Sequence, residues 1–105
     1  MAIVQVSIVP LGTKTTSLSK YVARSLKVLR NKKSVAFQLT PMGTVLEGDL
    51  DKVLSMVRQM HESVFGEGVQ RVLTTIKIDD RRDKIATMES KISSVESKLR
   101  RSKGT

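Results

Sequence analysis

Polar side chains occupy strand-like positions where a small domain would ordinarily place core residues. Glu47 closes the apolar run TVLE before Gly48 and Asp49, and a second run, Arg71–Lys84, alternates side chains before ending in two aspartates and two arginines. Ser7, Gln38, Thr40, Glu47 and Thr75 all fall on such extended stretches. Together they offer hydrogen-bond donors and acceptors in directions that backbone pairing would fix, which is the chemistry of a rigid polar pocket. The competing assignment for Glu47 is an ion pair with Lys77 or Arg71.

Other chemistries are excluded or disfavoured by composition. The chain of 105 residues has no cysteine, so disulfides, thiolate metal sites and thiol nucleophiles are absent. His61 is its one histidine, and its place beside the apolar stripe of a helix marks it as a partly buried structural residue. No glycine pattern resembles a phosphate-cradling loop. Asp79 and Asp80 adjoin Arg81 and Arg82, so capping and salt bridging are expected of them rather than metal binding. These features predict a protein with no catalytic residues, no bound metal and no cofactor.

The elements that would hold the polar residues follow from periodicity. Residues 2–9 alternate as a strand, with Val4, Val6 and Ile8 on one face and Gln5 and Ser7 on the other; Pro10, Gly12 and Thr13 are expected to break it. Thr16 or Ser17 is placed to cap a helix with the stripe Leu18, Val22, Leu26 and Leu29, and Tyr21 alongside. Val35–Thr40 and Thr44–Glu47 read as strands joined by a turn at Pro41-Met42-Gly43, with Thr44 and Gly43 serving the turn. Asp49 is placed to cap an amphipathic helix running to Gly66. Gln70–Ile78 reads as a fourth strand, and Asp80 as the cap of a third helix with Asp83 in its first turn.

The order is βαββαβ plus a C-terminal helix, an α+β chain of ferredoxin-like type. It predicts one domain over residues 1–99, the last helix spanning about 81–99, and a basic, frayed tail over 100–105. Two helices cover one face of a four-stranded sheet, leaving Gln5, Ser7, Gln38, Thr40, Glu47, Thr75 and Lys77 on the other, mixed with Ile3, Val45 and Leu73. Such a half-polar face points to a sheet-on-sheet contact enclosing a polar pocket. Ile85, Met88, Ile92, Val95 and Leu99 form a short seam of coiled-coil spacing, for packing on the chain's own core or on another subunit.

The net charge of +9 raises affinity for polyanions without choosing one. Lys20, Arg24 and Lys27 share one helical face, the usual pattern of a solvated surface. Single-strand recognition by this strand order needs exposed aromatics, whereas the corresponding positions are Gln5, Ser7, Leu73 and Thr75. Nucleic acid is therefore expected to bind only weakly and non-specifically. A structural or regulatory oligomeric scaffold is the other alternative. No apolar run is long enough to span a membrane, the N-terminus is not a secretory signal, and the absence of cysteine suits the cytoplasm.

Four ordered segments, VSIVPLGT, PMGTVLEGDLDKV, HESVFGEGVQRV and TTIKIDDRRDK, closely resemble the thiamine-binding protein family, related to YkoF-type thiamine and hydroxymethylpyrimidine binders. The resemblance covers about residues 3–95. It implies a ferredoxin-like subunit that pairs through its sheets as a homodimer or homotetramer. It also implies non-catalytic binding of thiamine or its hydroxymethylpyrimidine moiety. On that reading Ser7, Gln38, Thr40 and Thr75 supply mixed partners for an aminopyrimidine, and Glu47 accepts from its amine or faces the cationic thiazolium. The three aromatics, Tyr21, Phe37 and Phe65, lie on helices or point to the helix side, so ring stacking must come from apolar or peptide surfaces.

Overall fold

In the computed structural model, residues 1–13, 18–30, 34–66, 68–83 and 88–103 are described, with 101–103 as backbone only. The elements are β1 (Ala2–Leu11), α1 (Ser19–Lys27), β2 (Ala36–Thr40), β3 (Gly43–Gly48), α2 (Leu50–Val64), β4 (Arg71–Asp80) and α3 (Met88–Lys103). The strands form one antiparallel sheet in the order β2-β3-β1-β4, which is the ferredoxin-like arrangement.

Cross-strand register fixes which side chains share a face. Val4 pairs with Leu46 and Ile78, and Val6 with Thr44 and Ile76, on the side that receives the helices. Val4, Val6, Leu46, Val53, Val57 and Met60 are buried there, with Leu29 and Val35 closing the layer. Each such side chain contributes about 1.5–3 kcal/mol relative to exposure. On the opposite face, Ile3 pairs with Glu47 and Asp79, Gln5 with Val45 and Lys77, and Ser7 with Thr75. Gln38 and Thr40 join them through Val45 and Gly43. The open face thus carries the polar residues that alternation assigned to it.

The helices follow local chemistry. Asp49 has extended backbone angles, and its carboxylate accepts from the Lys52 N–H at 3.4 Å, capping α2 as expected. Val53, Val57, Met60 and Val64 form its buried stripe. α1 begins after Leu18, which makes no side-chain cap; Thr16 and Ser17 lie outside the described residues. At its far end α1 tightens into three-residue hydrogen bonds, with the Leu29 N–H donating to the Leu26 carbonyl at 3.0 Å. No helix among the described residues is long and apolar enough to cross a membrane.

Three expectations are corrected. Pro10 does not break β1: the strand runs on to Leu11 and ends at Gly12, whose φ is 77°. Pairing with β3 stops at Val6, so Pro10 lies in a half-strand held only by β4, where a missing donor is tolerated. Asp80 is not a helix cap: β4 extends through it opposite Ala2, because β1 offers pairing to its very first residues. The third helix is described from Met88 to Lys103 rather than about 81–99, so residues 100–103 belong to it. Its seam does not enter the core: Ile92, Val95 and Leu99 are exposed, and Ile85 lies outside the described residues.

The segment after β4 is tied by short-range ion pairs. Arg81 bonds Asp83 at 2.6 Å, and Arg82 bonds Asp80 at 2.9 Å. Hydrogen bonds from Arg82, reinforced by its charge, hold the Asp80 carboxyl below the usual carboxylate range. A carboxylate with a depressed pKa favours the folded form above its ordinary titration range, and that contribution is lost as pH falls through the depressed value. Substituting Arg82→Gln is expected to move the Asp80 titration upward, read by carboxyl-carbon NMR; an unmoved titration would show that the pair does not form in solution.

Candidate functional site

The site begins where the β1–β3 pairing stops. The last partner pair is Val6 with Thr44, and the β2–β3 turn at Pro41 and Met42 follows immediately. Beyond it β1 continues without a neighbour on that side, leaving a notch between Ser7–Val9 and the hairpin. α1 covers the notch with Val22 and Leu26, Leu18 at its N-cap adds to the same wall, and Met60 of α2 also lines it. The resulting cavity measures about 770 Å³, inside the range of small-molecule sites.

Gly43 lets the hairpin reach this position. Its φ is 147°, and a Cβ placed there would lie 2.7 Å from the Val6 carbonyl oxygen. Only a residue without a side chain permits that approach. Thr40 braces the same turn, donating to the Gly43 carbonyl at 2.8 Å and accepting from the Met42 N–H at 3.3 Å. Its hydroxyl keeps one acceptor position in hand.

Thr44 is the residue that sequence reasoning passed over. Assigned to the turn, it sits at a core-facing position of β3, is 5% exposed and lines the cavity. Its hydroxyl has no protein partner among the described residues, and no buried side-chain oxygen or nitrogen is left sealed without one. The oxygen therefore opens into the cavity. A threonine in the helix-facing phase of an otherwise apolar strand was the available signal. Ser25, also buried, is different: its hydroxyl is spent on the Val22 carbonyl at 2.9 Å.

The five residues singled out from sequence share the open face by register but do not meet in one concavity. Ser7 and Thr40 line the cavity at the notch. Gln38 and Glu47 line a second concavity of about 570 Å³ beneath α3, with Glu89 and Glu96. Thr75 borders neither. Glu47 accepts from the Met88 N–H at 3.0 Å, so its carboxylate meets the positive end of α3. Lys91 forms an ion pair with Asp79 and ties the same helix to β4.

The remaining candidates behave structurally. His61 is half-buried, its Nδ1 lies 2.6 Å from the Thr74 hydroxyl, and its ring meets Phe65 edge-on at 5.3 Å. Lys20 and Arg24 sit 5.0 and 5.7 Å from the centre of the buried Tyr21 ring. No group of three or more metal-ligating side chains occurs among the described residues. Phe37, the one aromatic within the strands, pairs with Leu46 on the helix side, so the open face has no stacking platform.

Known proteins resemble this chain along most of its length. Residues 4–96 match the family model described as thiamine-binding protein. The UPF0045 protein YqgV of Bacillus subtilis is 47% identical over 102 residues, covering 94% of this chain and 98% of that protein. A UPF0045 protein of Methanothermobacter thermautotrophicus is 43% identical over 100 residues, covering 94% and 100%. Among solved structures, hypothetical protein MJ1052 of Methanocaldococcus jannaschii has a TM-score of 0.81 at 41% identity, covering 90% of this chain and 95% of that one. A Thermotoga maritima protein named for thiamine biosynthesis or salvage has a TM-score of 0.74 at 19% identity, covering 90% and 97%, a likeness of fold.

Replacing Gly43→Ala is expected to destabilise the fold by about 1–3 kcal/mol through strained backbone and the clash with Val6. Urea denaturation measures it; unchanged stability would show that the hairpin does not make this approach.

Proposed function

This chain belongs to the thiamine-binding protein family, and from that premise we propose that it binds thiamine or its hydroxymethylpyrimidine moiety, without converting it, in the cavity between α1 and the β2–β3 hairpin. The observation that carries the reading is a convergence. Two of the segments that resemble the family, VSIVPLGT and PMGTVLEGDLDKV, come from distant parts of the chain and meet at this notch. The buried Thr44 hydroxyl opens into it.

The chemistry suits an aminopyrimidine. A planar ring of that kind presents an amine donor, ring-nitrogen acceptors and apolar faces. Thr44 and Ser7 carry hydroxyls that donate or accept, and Thr40 retains an acceptor position. Leu18, Val22 and Leu26 supply the apolar wall against which the ring lies. Stacking on aromatic side chains is not used. The cationic thiazolium, being hydrated, extends toward the mouth. A homodimer or homotetramer remains the assembly this reading expects.

The open-face concavity around Glu47 and Gln38 is the competing location, because three carboxylates there would favour a cation. The α3 contact gives Glu47 a structural task instead.

Isothermal titration calorimetry with thiamine and with hydroxymethylpyrimidine, on protein shown free of carried-over vitamin, tests the proposal. Saturable, salt-tolerant binding is expected. Thr44→Val keeps the shape and removes one hydroxyl, so it should weaken binding about tenfold while leaving thermal stability unchanged or slightly higher. Glu47→Gln should loosen α3 and leave affinity within about threefold, since it lies outside the cavity. The opposite pattern would move the site to the open face, and no heat with either ligand would overturn the binding reading.

A further inference from the structure

Ten residues of β1 pair with β4, but only the first five of them pair with β3. The direction of the main-chain groups beyond that point follows from the close contact at the hairpin. A Cβ on Gly43 would lie 2.7 Å from the Val6 carbonyl oxygen, so that carbonyl points toward β3. In an antiparallel ladder both polar groups of a residue face the same neighbour, and successive residues face opposite neighbours. Val6 therefore exchanges its bonds with Thr44, while Ser7 and Val9 exchange theirs with Thr75 and Leu73 of β4. Ile8 and Pro10 follow the phase of Val6, toward the side where β3 has ended.

Pro10 supports this phase independently. It has no N–H, yet the β4 ladder runs unbroken through its pair with Val72. A proline fits there in the non-hydrogen-bonded phase, with its nitrogen turned away from β4. Ile8 then presents both a donor and an acceptor to the notch. Neither has a strand neighbour among the described residues. Ile8 lines the cavity, and its side chain packs against the core, which holds its main chain in place.

Given the binding proposed above, on which this step rests, we propose that the Ile8 main chain reads the pyrimidine as it would read a guest strand. An aminopyrimidine carries a ring nitrogen beside an exocyclic amine, an acceptor and a donor on one edge. The Ile8 N–H donates to the ring nitrogen, and the amine donates to the Ile8 carbonyl. These two bonds replace those that a continued β3 would have made. The ring extends the plane of the sheet, and its face meets Val22 and Leu26 of α1. No charged side chain lines the cavity among the described residues, so charge does not compete with this pairing. The recognised group is thus the amidine-like edge of the ring, and the amine is obligatory.

Amide hydrogen exchange and ligand analogues test the assignment on the full chain. Hydroxymethylpyrimidine should slow exchange of the Ile8 amide by about tenfold or more. An isotope-labelled ring nitrogen should show scalar coupling to the Ile8 amide nitrogen across the hydrogen bond. The analogue lacking the amine leaves the Ile8 carbonyl unpaired and should bind about tenfold more weakly. Ile8→Pro removes the donor in the phase that Pro10 already tolerates, and should weaken binding about tenfold with β4 pairing retained. An ester in place of the Ile8 amide makes the same deletion with the side chain kept, and should weaken binding likewise. Binding with unchanged exchange at Ile8, or with equal affinity for the analogue, overturns the assignment and leaves the binding reading standing. An Ile8 amide already protected without ligand, as by an extended peptide seated in the notch, overturns it too. No binding of hydroxymethylpyrimidine or thiamine overturns both.

Discussion

The close approach of Gly43 to the Val6 carbonyl is the constraint on which the notch beside the β2–β3 hairpin depends. It ends β1–β3 pairing one residue before the hairpin turns, while β1 itself continues for five more residues against β4. A strand with a neighbour on one side only leaves a gap in the sheet. α1 covers that gap from above, and the cavity is what remains between them. Thr40 holds the turn by bonding its own hairpin backbone, so the wall of the cavity is fixed by main-chain geometry rather than by mobile side chains.

The same register separates two kinds of surface. Toward the notch, a buried hydroxyl at Thr44 is left open to the cavity within an otherwise apolar layer. Leaving a polar group in such a place costs free energy unless something bonds it, which is why functional sites retain groups that a pure core would discard. Toward the outer edge, β4 keeps Leu73, Ile76 and Ile78 exposed, and its outer side has no strand partner among the described residues. α3 reaches back over the open face through Glu47 and Asp79 and then runs outward with an exposed face. The notch and the exposed β4 edge thus occupy different parts of one small sheet.

Much of this was legible in the sequence. Alternation alone sorted Ser7, Gln38, Thr40, Glu47 and Thr75 onto one face, because side-chain phase in a strand is local. Asp49 announced its helix for the same reason. What sequence could not supply was the point at which pairing stops, since that depends on how closely two backbones approach. The five residues were therefore read as one pocket, although Gln38 and Glu47 lie beneath α3 and Ser7 and Thr40 at the notch. Asp80 looked like a cap because its neighbours suited one, yet pairing opposite Ala2 kept it in the strand. Pro10 looked like a breaker because its tolerance depends on which edge lacks a partner.

The central claim is the location of the ligand, and amide chemical-shift mapping tests it most directly. Isotope-labelled protein titrated with hydroxymethylpyrimidine should show its largest shifts at Ser7–Val9, along α1 and from Thr40 to Thr44. Shifts confined to Gln38, Glu47 and the first turns of α3, with the notch undisturbed, would contradict the account.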